Sequence, residues 1–335
     1  MKLLDFDYYL PPELIAQKPR ERRDASRLLV VDRKKKEFFE TVFSKITEYL
    51  KPGDVLILND TKVIPARIYG TLPNGKKGEI LLLRKVEENL WEILCRPAKK
   101  FKVGVEVRVG DFVVRIEERR PTGVRRARFL GPIEEIMEKF GEIALPPYIK
   151  GKIENPNDYQ TIFAQKEGGV ASPTAGLHFT LELINKIKEM GVEIGFITLH
   201  PSLGTFRPIK TETVEEHKMY QEDFSISLET AELINRAKRE KRRVIACGTT
   251  SVRALESIAE DGKVKPYSGA TELFIYPGYQ FKIVDALITN FHLPKSPLLL
   301  LVSAFADKEL IFSAYRYAIE KKFLFYSFGD AMFIL

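Results

Sequence analysis

The segment Asp54-Val55-Leu56-Ile57-Leu58-Asn59-Asp60 is predicted to form a buried strand that ends in polar side chains. Its apolar residues follow one another without a polar interruption, which is typical of a strand covered on both faces. Polar residues at the end of such a strand often lie beside a ligand in α/β proteins, although Asn59 and Asp60 equally fit a capped turn. The segment therefore favours an α/β domain.

The pattern changes after Pro65, where short alternating segments are separated by turn residues. These segments are Arg67–Thr71, Glu79–Lys85, Trp91–Cys95, Glu106–Val109, Phe112–Glu117 and Arg125–Leu130. Closely spaced strands without helices between them favour a small antiparallel barrel or sandwich. After a predicted helix over Ile133–Phe140, residues 145–149 contain two prolines and are expected to be a return linker.

From Asp158 onward, predicted helices and strands alternate, as in an α/β protein. Helices are predicted over Pro12–Ala16, Phe43–Leu50, Thr180–Met190, Leu228–Arg243, Ser251–Glu260, from Ser296, and over Asp307–Lys321. Strands are predicted over Leu28–Val31, Val192–Thr198, Val244–Cys247, Glu272–Tyr276, Ile283–Ile288, Phe323–Phe328 and Ala331–Leu335. The expected fold is a mixed-sheet α/β domain (residues 1–64 and 150–335) interrupted by a small antiparallel β-barrel domain (residues 65–149).

The composition is that of a soluble globular protein, with 44% hydrophobic and 30% charged residues in 335. A net charge of +7 fits an anionic partner, nucleic acid first among them. Cys95 and Cys247 are far apart and form no C-x-x-C pair, so we expect a reducing, cytoplasmic environment without disulfides. Since no apolar run is long enough to span a bilayer, no membrane association is expected.

A loop rich in small residues, Gly168–Thr180, leads directly into a predicted helix. Small residues let the backbone approach a ligand closely, but an ordinary connection has the same composition. Other polar stretches are expected at strand ends or helix starts: Asn59–Arg67, Asp158–Gln165, His200–Phe206, Cys247–Arg253 and Thr289–Pro294. Three of the four histidines lie in these stretches, which makes them candidates for one shared site.

The stretch Cys247–Arg253 combines a predicted strand end, Gly-Thr-Thr-Ser, and a helix start. Free N–H groups and the helix dipole at such a point favour an anion, and Arg253 would add a bidentate contact. A plain helix cap by Thr249 or Thr250 explains the same residues. No metal-ligand spacing, phosphate-binding loop or nucleophile elbow is present, so we expect neither a bound metal nor a permanent cofactor.

Two groups of arginines are candidates for contacts with phosphate groups. One surrounds a predicted barrel hairpin and consists of Arg119, Arg120, Arg125, Arg126 and Arg128. The other includes Arg22 and Arg23 in a charged run near the N-terminus. The basic character of the chain favours phosphate binding, while a solvated surface accounts equally for Arg22 and Arg23.

At these residues the chain closely resembles the S-adenosylmethionine:tRNA ribosyltransferase-isomerase family of queuosine biosynthesis. The matching segments are Leu58–Thr61, Pro65–Arg67, Asp158–Thr161, Pro173–Thr180, Ala246–Arg253 and Thr289–Pro294. The chain departs from the family pattern at Pro201-Ser202-Leu203 and at Tyr220-Gln221.

The resemblance implies an α/β domain with an inserted barrel and a specific reaction. The ribosyl group of S-adenosylmethionine, a cosubstrate, would be transferred to 7-aminomethyl-7-deazaguanine at the wobble position of tRNA and isomerised. The products would be adenine, methionine and epoxyqueuosine-tRNA. The alternatives are a non-catalytic RNA-binding factor and a methyltransferase, the latter disfavoured because a glycine-rich first turn is missing. We expect a monomer.

The demands of that reaction suggest roles for particular residues. His178 or His292 would act as base or acid, with Asp158 orienting the histidine or accepting from the nucleobase edge. The turn Thr249–Arg253 would hold the methionyl carboxylate, and Asp60, Glu272 or Asp285 the ribose hydroxyls. The remaining candidates are His200 as a catalytic residue, Arg67, Thr174, Gly176 and Asn290 for substrate binding, and the two arginine groups for tRNA.

Overall fold

The computed structural model of the chain describes residues 1–120, 123–151, 153–202 and 209–335. Residues 203–206 of the predicted stretch His200–Phe206 lie outside the described residues. The first strands are β1 (Arg27–Asp32), β2 (Glu37–Val42), β3 (Val55–Asn59), β4 (Thr61–Val63), β5 (Arg67–Thr71), β6 (Lys77–Glu87), β7 (Leu90–Arg96), β8 (Glu106–Val109) and β9 (Phe112–Arg119). They continue with β10 (Arg125–Leu130), β11 (Gly141–Glu142), β12 (Lys166–Gly169), β13 (Glu193–Leu199), β14 (Glu222–Ile226), β15 (Val244–Cys247), β16 (Tyr267–Thr271), β17 (Ala286–Asn290) and β18 (Ala331–Ile334).

The helices are α1 (Ile133–Phe140), α2 (Leu181–Glu189), α3 (Leu228–Arg239), α4 (Thr249–Ser257), α5 (Pro297–Ala306) and α6 (Lys308–Glu320). Short 3-10 helices cover Leu3–Phe6, Pro12–Leu14, Arg23–Ala25, Phe43–Tyr49, Ala98–Lys100, Pro156–Tyr159 and Thr174–His178. Ser227 and Ser296 cap α3 and α5 by accepting a hydrogen bond from the main chain three residues on. Helices α3 and α5 thus begin directly after a serine cap, as expected for a polar residue that precedes a segment with helical spacing of its apolar side chains.

A nine-stranded mixed sheet forms the larger domain, in the order β16-β14-β13-β3-β15-β17-β18-β1-β2. Its neighbouring strands β13, β3, β15 and β17 are mutually parallel. Every residue of β3 is buried, because apolar clusters cover the sheet on both faces. The carboxyl ends of the four parallel strands therefore meet at one edge of a rigid, dry sheet.

The smaller domain is a six-stranded antiparallel barrel, closed where β5 pairs with both β6 and β8. Gly70 lies at this closure, and a Cβ there would stand 2.7 Å from the Arg108 carbonyl oxygen. The ring closes because glycine allows the two backbones to approach. The mixed sheet and the closed barrel confirm the fold class expected from the sequence.

Several element predictions need correction. The predicted strand Glu272–Tyr276 is wrong, because the strand at this edge is β16, which ends at Thr271. Residues 323–328 form no named strand, since Phe325 makes a single bridge to Ile15 and Tyr326 has φ +72°. The predicted helices over Pro12–Ala16 and Phe43–Leu50 are 3-10 turns. Strands β2, β4, β11, β12 and β14 were not predicted.

Candidate active site

A cavity lies at the carboxyl ends of the parallel strands, where ligands commonly bind in open α/β sheets. We call it the strand-end cavity; its lining residues are Ser172–Ala175, Gly248–Thr250, Thr289–Leu293, Tyr148, Pro201, Leu298, Tyr326 and Ser327. Residues of four predicted polar stretches therefore meet there. They come from the small-residue loop, the turn after β13, the turn after β15 and the turn after β17.

The strand-end cavity carries no formal charge on its walls. Among the described residues that line it, none is Asp, Glu, Lys or Arg; the polar groups are hydroxyls, one amide and one imidazole. Ser172 is buried, and its hydroxyl has no hydrogen-bond partner within the described part of the chain. Since buried hydroxyls are normally paired, this oxygen is available to a bound ligand.

Asn290 is held in one orientation by three neighbours. Its Oδ1 accepts a hydrogen bond from the Thr174 hydroxyl at 3.2 Å, and its Nδ2 donates to the Tyr326 carbonyl at 3.1 Å. The same Nδ2 lies 3.1 Å from Nε2 of His178. Because the carbonyl can only accept, Nδ2 is the donor side of the amide, and His178 Nε2 must accept.

His178 is therefore a neutral imidazole whose proton is on Nδ1. That nitrogen lies 2.8 Å from the Ser26 hydroxyl. Burial, and to a smaller extent the positive charges of Arg20 and Arg23, lower the pKa of His178 to about 3. The ring packs beside Phe43 rather than lining the strand-end cavity, and its Nε2 contacts Asn290, which does line it.

His292, by contrast, lines the strand-end cavity directly. Its Nε2 lies 3.2 Å from the Thr289 hydroxyl, and its main-chain N–H donates to the Tyr315 hydroxyl at 3.0 Å. Tyr8 donates from its hydroxyl to the main-chain carbonyl of His292. Burial lowers the pKa of His292 to about 3, so the ring is unprotonated at neutral pH.

The amino end of α4 forms another wall of the cavity. Gly248 precedes the helix with φ +88° and ψ 149°, a conformation that residues with a Cβ rarely adopt. Thr249 and Thr250 line the cavity, and the Thr250 hydroxyl accepts from Asn59 at 3.3 Å. Asn59 also donates to and accepts from the main chain of Leu199, so one amide ties the ends of β3 and β13 to the start of α4.

Arg253 is buried behind this helix end and does not line the cavity. Its guanidinium pairs with the buried carboxylate of Glu222 and donates to the Leu273 carbonyl at 3.0 Å. Glu222 also accepts from the main-chain N–H of Ser202 at 2.8 Å. The charge of Arg253 is thus matched within the protein, which differs from the expected direct contact with a ligand carboxylate.

A second cavity, here called the arginine cavity, adjoins the first. Its lining residues are Pro19–Glu21, Arg23, Ser26, Asp158, Leu177, His178 and Ser327–Gly329. Ser327 lines both cavities, and its hydroxyl lies 2.7 Å from that of Tyr148. Arg23 donates to the carbonyls of Gln160 and Asn157, while Asp158 is half-buried beside it. His178 and Asp158 are therefore brought together as expected, but in this second cavity.

His200 lies apart, in a cleft between barrel and sheet that also contains Trp91 and Asp223. Its Nδ1 is 2.8 Å from the Thr61 hydroxyl. Burial lowers the pKa of His200, and the nearby Asp60 carboxylate opposes that shift. Asp60 itself accepts from the Thr198 hydroxyl at 2.6 Å, and burial raises its pKa. Neither residue lines the strand-end cavity.

Four further candidates are not brought to the cavity. Asp285 precedes β17 at the opposite edge of the sheet, where it pairs with Lys238 at 3.0 Å. Glu272 is exposed just after β16. Arg67 lies on the barrel strand β5, 3.3 Å from Glu79. Gly176 is buried against Phe163, whose ring a Cβ would approach to 2.8 Å, so this glycine serves close packing.

The barrel arginines are mostly occupied by partners within the protein. Arg125 is buried and donates to the carbonyls of Phe101, Gly123 and Ala98, which corrects its assignment to the candidates for phosphate contacts. Ion pairs join Arg120 to Glu118, Arg126 to Glu118 and Arg128 to Glu117. Arg119 is exposed. Near the N-terminus, Arg22 pairs with Asp24 at 2.7 Å.

Several residues of the site were not predicted from the sequence. Tyr148, Tyr326 and Ser327 line the strand-end cavity, and Ser26 holds His178. Tyr148 lies in the proline-containing linker, and Tyr326 owes its position to a left-handed backbone. The one available signal was the linker itself, since binding and catalytic residues are disproportionately found on connecting segments.

The described residues contain no group of three His, Cys, Asp or Glu arranged to hold a metal ion. No helix in the described ranges is both long and apolar enough to cross a membrane.

A polar cavity at the strand ends of a doubly covered sheet is the architecture of an α/β enzyme. A family model described as Queuosine biosynthesis protein matches residues 3–334. The S-adenosylmethionine:tRNA ribosyltransferase-isomerases of Carboxydothermus hydrogenoformans and Halothermothrix orenii are each 52% identical over 341 residues, covering 100% of both chains. The chain therefore belongs to this family of queuosine biosynthesis proteins, and it is an enzyme.

A solved structure supports the same relationship. The crystal structure of S-adenosylmethionine tRNA ribosyltransferase from Thermotoga maritima is 41% identical to this chain. It covers 99% of this chain and 100% of its own, with a TM-score of 0.59. The likeness extends over both the sheet domain and the barrel.

Proposed function

We propose that this enzyme transfers the ribosyl group of S-adenosylmethionine to 7-aminomethyl-7-deazaguanine at the wobble position of tRNA and isomerises it. Adenine and methionine leave, and epoxyqueuosine-tRNA is the product. The observation that carries the proposal is the uncharged strand-end cavity, with its oriented Asn290 and its unpaired Ser172 hydroxyl, in a chain of this family. S-adenosylmethionine is the cosubstrate and tRNA the acceptor.

In this proposal the strand-end cavity takes S-adenosylmethionine. The amino end of α4 faces the methionyl carboxylate, because unpaired main-chain N–H groups and the helix dipole favour an anion. Arg253 then supports this end indirectly: its pair with Glu222 fixes Ser202 beside the cavity wall formed by Pro201. Thr174 and Asn290 supply hydrogen bonds to the nucleoside.

His292 is the proposed proton acceptor. The sulfonium acidifies the neighbouring 5′ carbon, so a base must remove a proton there. His292 lines the cavity and stays unprotonated at neutral pH because burial lowers its pKa. His178 is a positioning residue instead, since it does not line this cavity and its Nε2 accepts from the Asn290 amide that does.

The arginine cavity is the proposed place for the nucleobase. A guanine-like edge presents N–H donors, which match the half-buried carboxylate of Asp158. Arg20 and Arg23 both line this cavity, but Arg20 pairs with Asp330 at 2.7 Å. Arg23, which donates to main-chain carbonyls, is therefore the cation offered to an adjoining phosphate group. Because Ser327 lines both cavities, the aminomethyl nitrogen and the sugar would meet near that residue.

One incubation tests the proposal. The enzyme is mixed with S-adenosylmethionine and tRNA carrying 7-aminomethyl-7-deazaguanine, and small products are separated. We expect adenine and methionine in equal amounts, together with modified tRNA. Formation of S-adenosylhomocysteine would indicate a methyltransferase. The absence of any product would support the alternative of a non-catalytic RNA-binding factor. Unmodified tRNA is the matched control, and it should release no adenine.

A further inference from the structure

Two tyrosine rings pack against each other in one part of the strand-end cavity wall. Tyr148 and Tyr326 both line the cavity, with ring centroids 4.7 Å apart and planes inclined by 51°. They come from distant parts of the chain, one from the return linker after the barrel and the other from the segment after α6. The pair exists only when the linker is docked against the sheet domain.

The backbone at Tyr326 is held in an unusual conformation. Its φ of +72° lies in the left-handed region, which residues other than glycine seldom occupy. The Tyr326 N–H donates to the Phe291 carbonyl, and the Tyr326 carbonyl accepts from Gly329 and from the Asn290 side chain. Strained residues kept in place by several hydrogen bonds are concentrated at functional sites.

The charge balance of the cavity indicates what the rings are for. A cationic ligand there finds no carboxylate among the described lining residues, and the one lining imidazole is unprotonated. The electron-rich faces of aromatic rings then provide the favourable electrostatic contact for a cation. Hydroxyl and carbonyl oxygens of the cavity wall also interact favourably with a cation, and they add no net charge to the wall.

We propose that Tyr148 and Tyr326 together recognise the positively charged sulfonium of the cosubstrate and select it over a neutral thioether. This inference rests on the proposed function in taking S-adenosylmethionine as the ligand. It adds a specificity-determining pair that keeps S-adenosylhomocysteine, the neutral counterpart, from competing for the cavity. The barrel linker thereby contributes directly to cosubstrate choice.

The test compares the affinities of S-adenosylmethionine and S-adenosylhomocysteine by isothermal titration calorimetry. Four variants of the full chain are used: Tyr148→Phe, Tyr148→Leu, Tyr326→Phe and Tyr326→Leu. Phenylalanine keeps the aromatic ring face, whereas leucine removes it. At position 326 both substitutions are subject to the same backbone strain as the native tyrosine. Each leucine variant should weaken binding of S-adenosylmethionine about 5- to 30-fold and that of S-adenosylhomocysteine less than about 3-fold. The phenylalanine variants should retain the wild-type preference.

Equal weakening of both ligands in the leucine variants would overturn the inference, because the rings would then serve packing alone. A wild-type enzyme that binds both ligands equally well would also overturn it, while adenine release with modified tRNA would leave the proposed function standing. A wild-type enzyme that binds neither ligand and releases no adenine would contradict both the inference and the proposed function. Measurable binding of S-adenosylhomocysteine also shows that each variant cavity is folded.

Discussion

At the residue scale, the two buried histidines differ in what they contact although burial affects them alike. His292 lines the strand-end cavity, whereas His178 contacts the Asn290 amide that lines it. Both have pKa values lowered to about 3. Burial therefore fixes the charge state of both rings, while the partners of each ring decide its role.

Replacing His292 by glutamine should slow adenine release by about 10²-fold or more, because the proposed base is lost. Binding of S-adenosylmethionine should change only a few-fold, so the effect appears in kcat. Single-turnover release of adenine measures it. His217→Gln is the control, since His217 does not line the cavity and should leave the rate unchanged. A His292→Gln enzyme of wild-type rate would exclude this residue as the base.

The lowered histidine pKa values also make stability depend on pH. Unfolded histidine has a pKa of about 6.5, so between that pH and about 3 the unfolded chain binds more protons than the folded chain. Stability is therefore full above pH 6.5 and falls as the pH drops. Each histidine should contribute a loss of about 3 kcal/mol by pH 4.

Urea denaturation from pH 4 to pH 7.5 measures this dependence. His178→Asn should be less stable at pH 7.5, because the hydrogen bonds to Ser26 and Asn290 are disturbed. Its free energy of unfolding should, however, fall less steeply below pH 6.5 than that of the wild type. An identical slope in both proteins would show that His178 titrates normally in the folded state.

At the element scale, the amino end of α4 depends on one glycine. Gly248→Ala should weaken S-adenosylmethionine binding about 10-fold, because a Cβ is strained at φ +88° and the neighbouring threonines would shift. Gly262→Ala is a matched control: it also has positive φ, +70°, and no atom lies within 4 Å of its added Cβ. That variant should lose stability without losing affinity. Calorimetric titration and thermal melting separate the two effects.

The elements differ in how well the sequence predicts them, and the reason is burial. The barrel strands β5, β8 and β10 were predicted to the residue because alternation shows directly in strands with one buried face. Strand β2 has no buried residue, so it has no alternating signal. The segment Phe323–Phe328 is apolar enough for a strand, but its residues fill the core from an irregular chain.

The candidate site was predictable only where its residues are close in sequence. The loop Gly168–Thr180 and the turns after β15 and β17 were recognised from local composition. The hydrogen-bond partners of His178 were not recognised, since Ser26 lies 152 residues away and Asn290 112 residues away. Such contacts depend on strand order, which the periodicity of one segment does not contain.

At the scale of the whole molecule, the chain has a net charge of +7. Its arginines differ in whether an acidic side chain is paired with them. Within the barrel hairpin, Arg120 and Arg126 share Glu118, and Arg128 pairs with Glu117. Among the described residues no carboxylate lies within ion-pair distance of Arg119, and its side chain is exposed. A phosphate group would gain most from Arg119, because pairing a matched arginine first requires breaking an existing ion pair.

Arg119→Gln should therefore weaken tRNA binding and reduce the slope of log affinity against log salt concentration by about 1, the change expected when one cation no longer neutralises a phosphate. Arg128→Gln, on the same hairpin but paired with Glu117 at 2.6 Å, should leave the slope nearly unchanged. Filter binding of tRNA over a range of salt concentrations measures both. Equal slopes for wild type and Arg119→Gln would exclude Arg119 as a phosphate contact, and Arg23 in the arginine cavity would then be the residue to test.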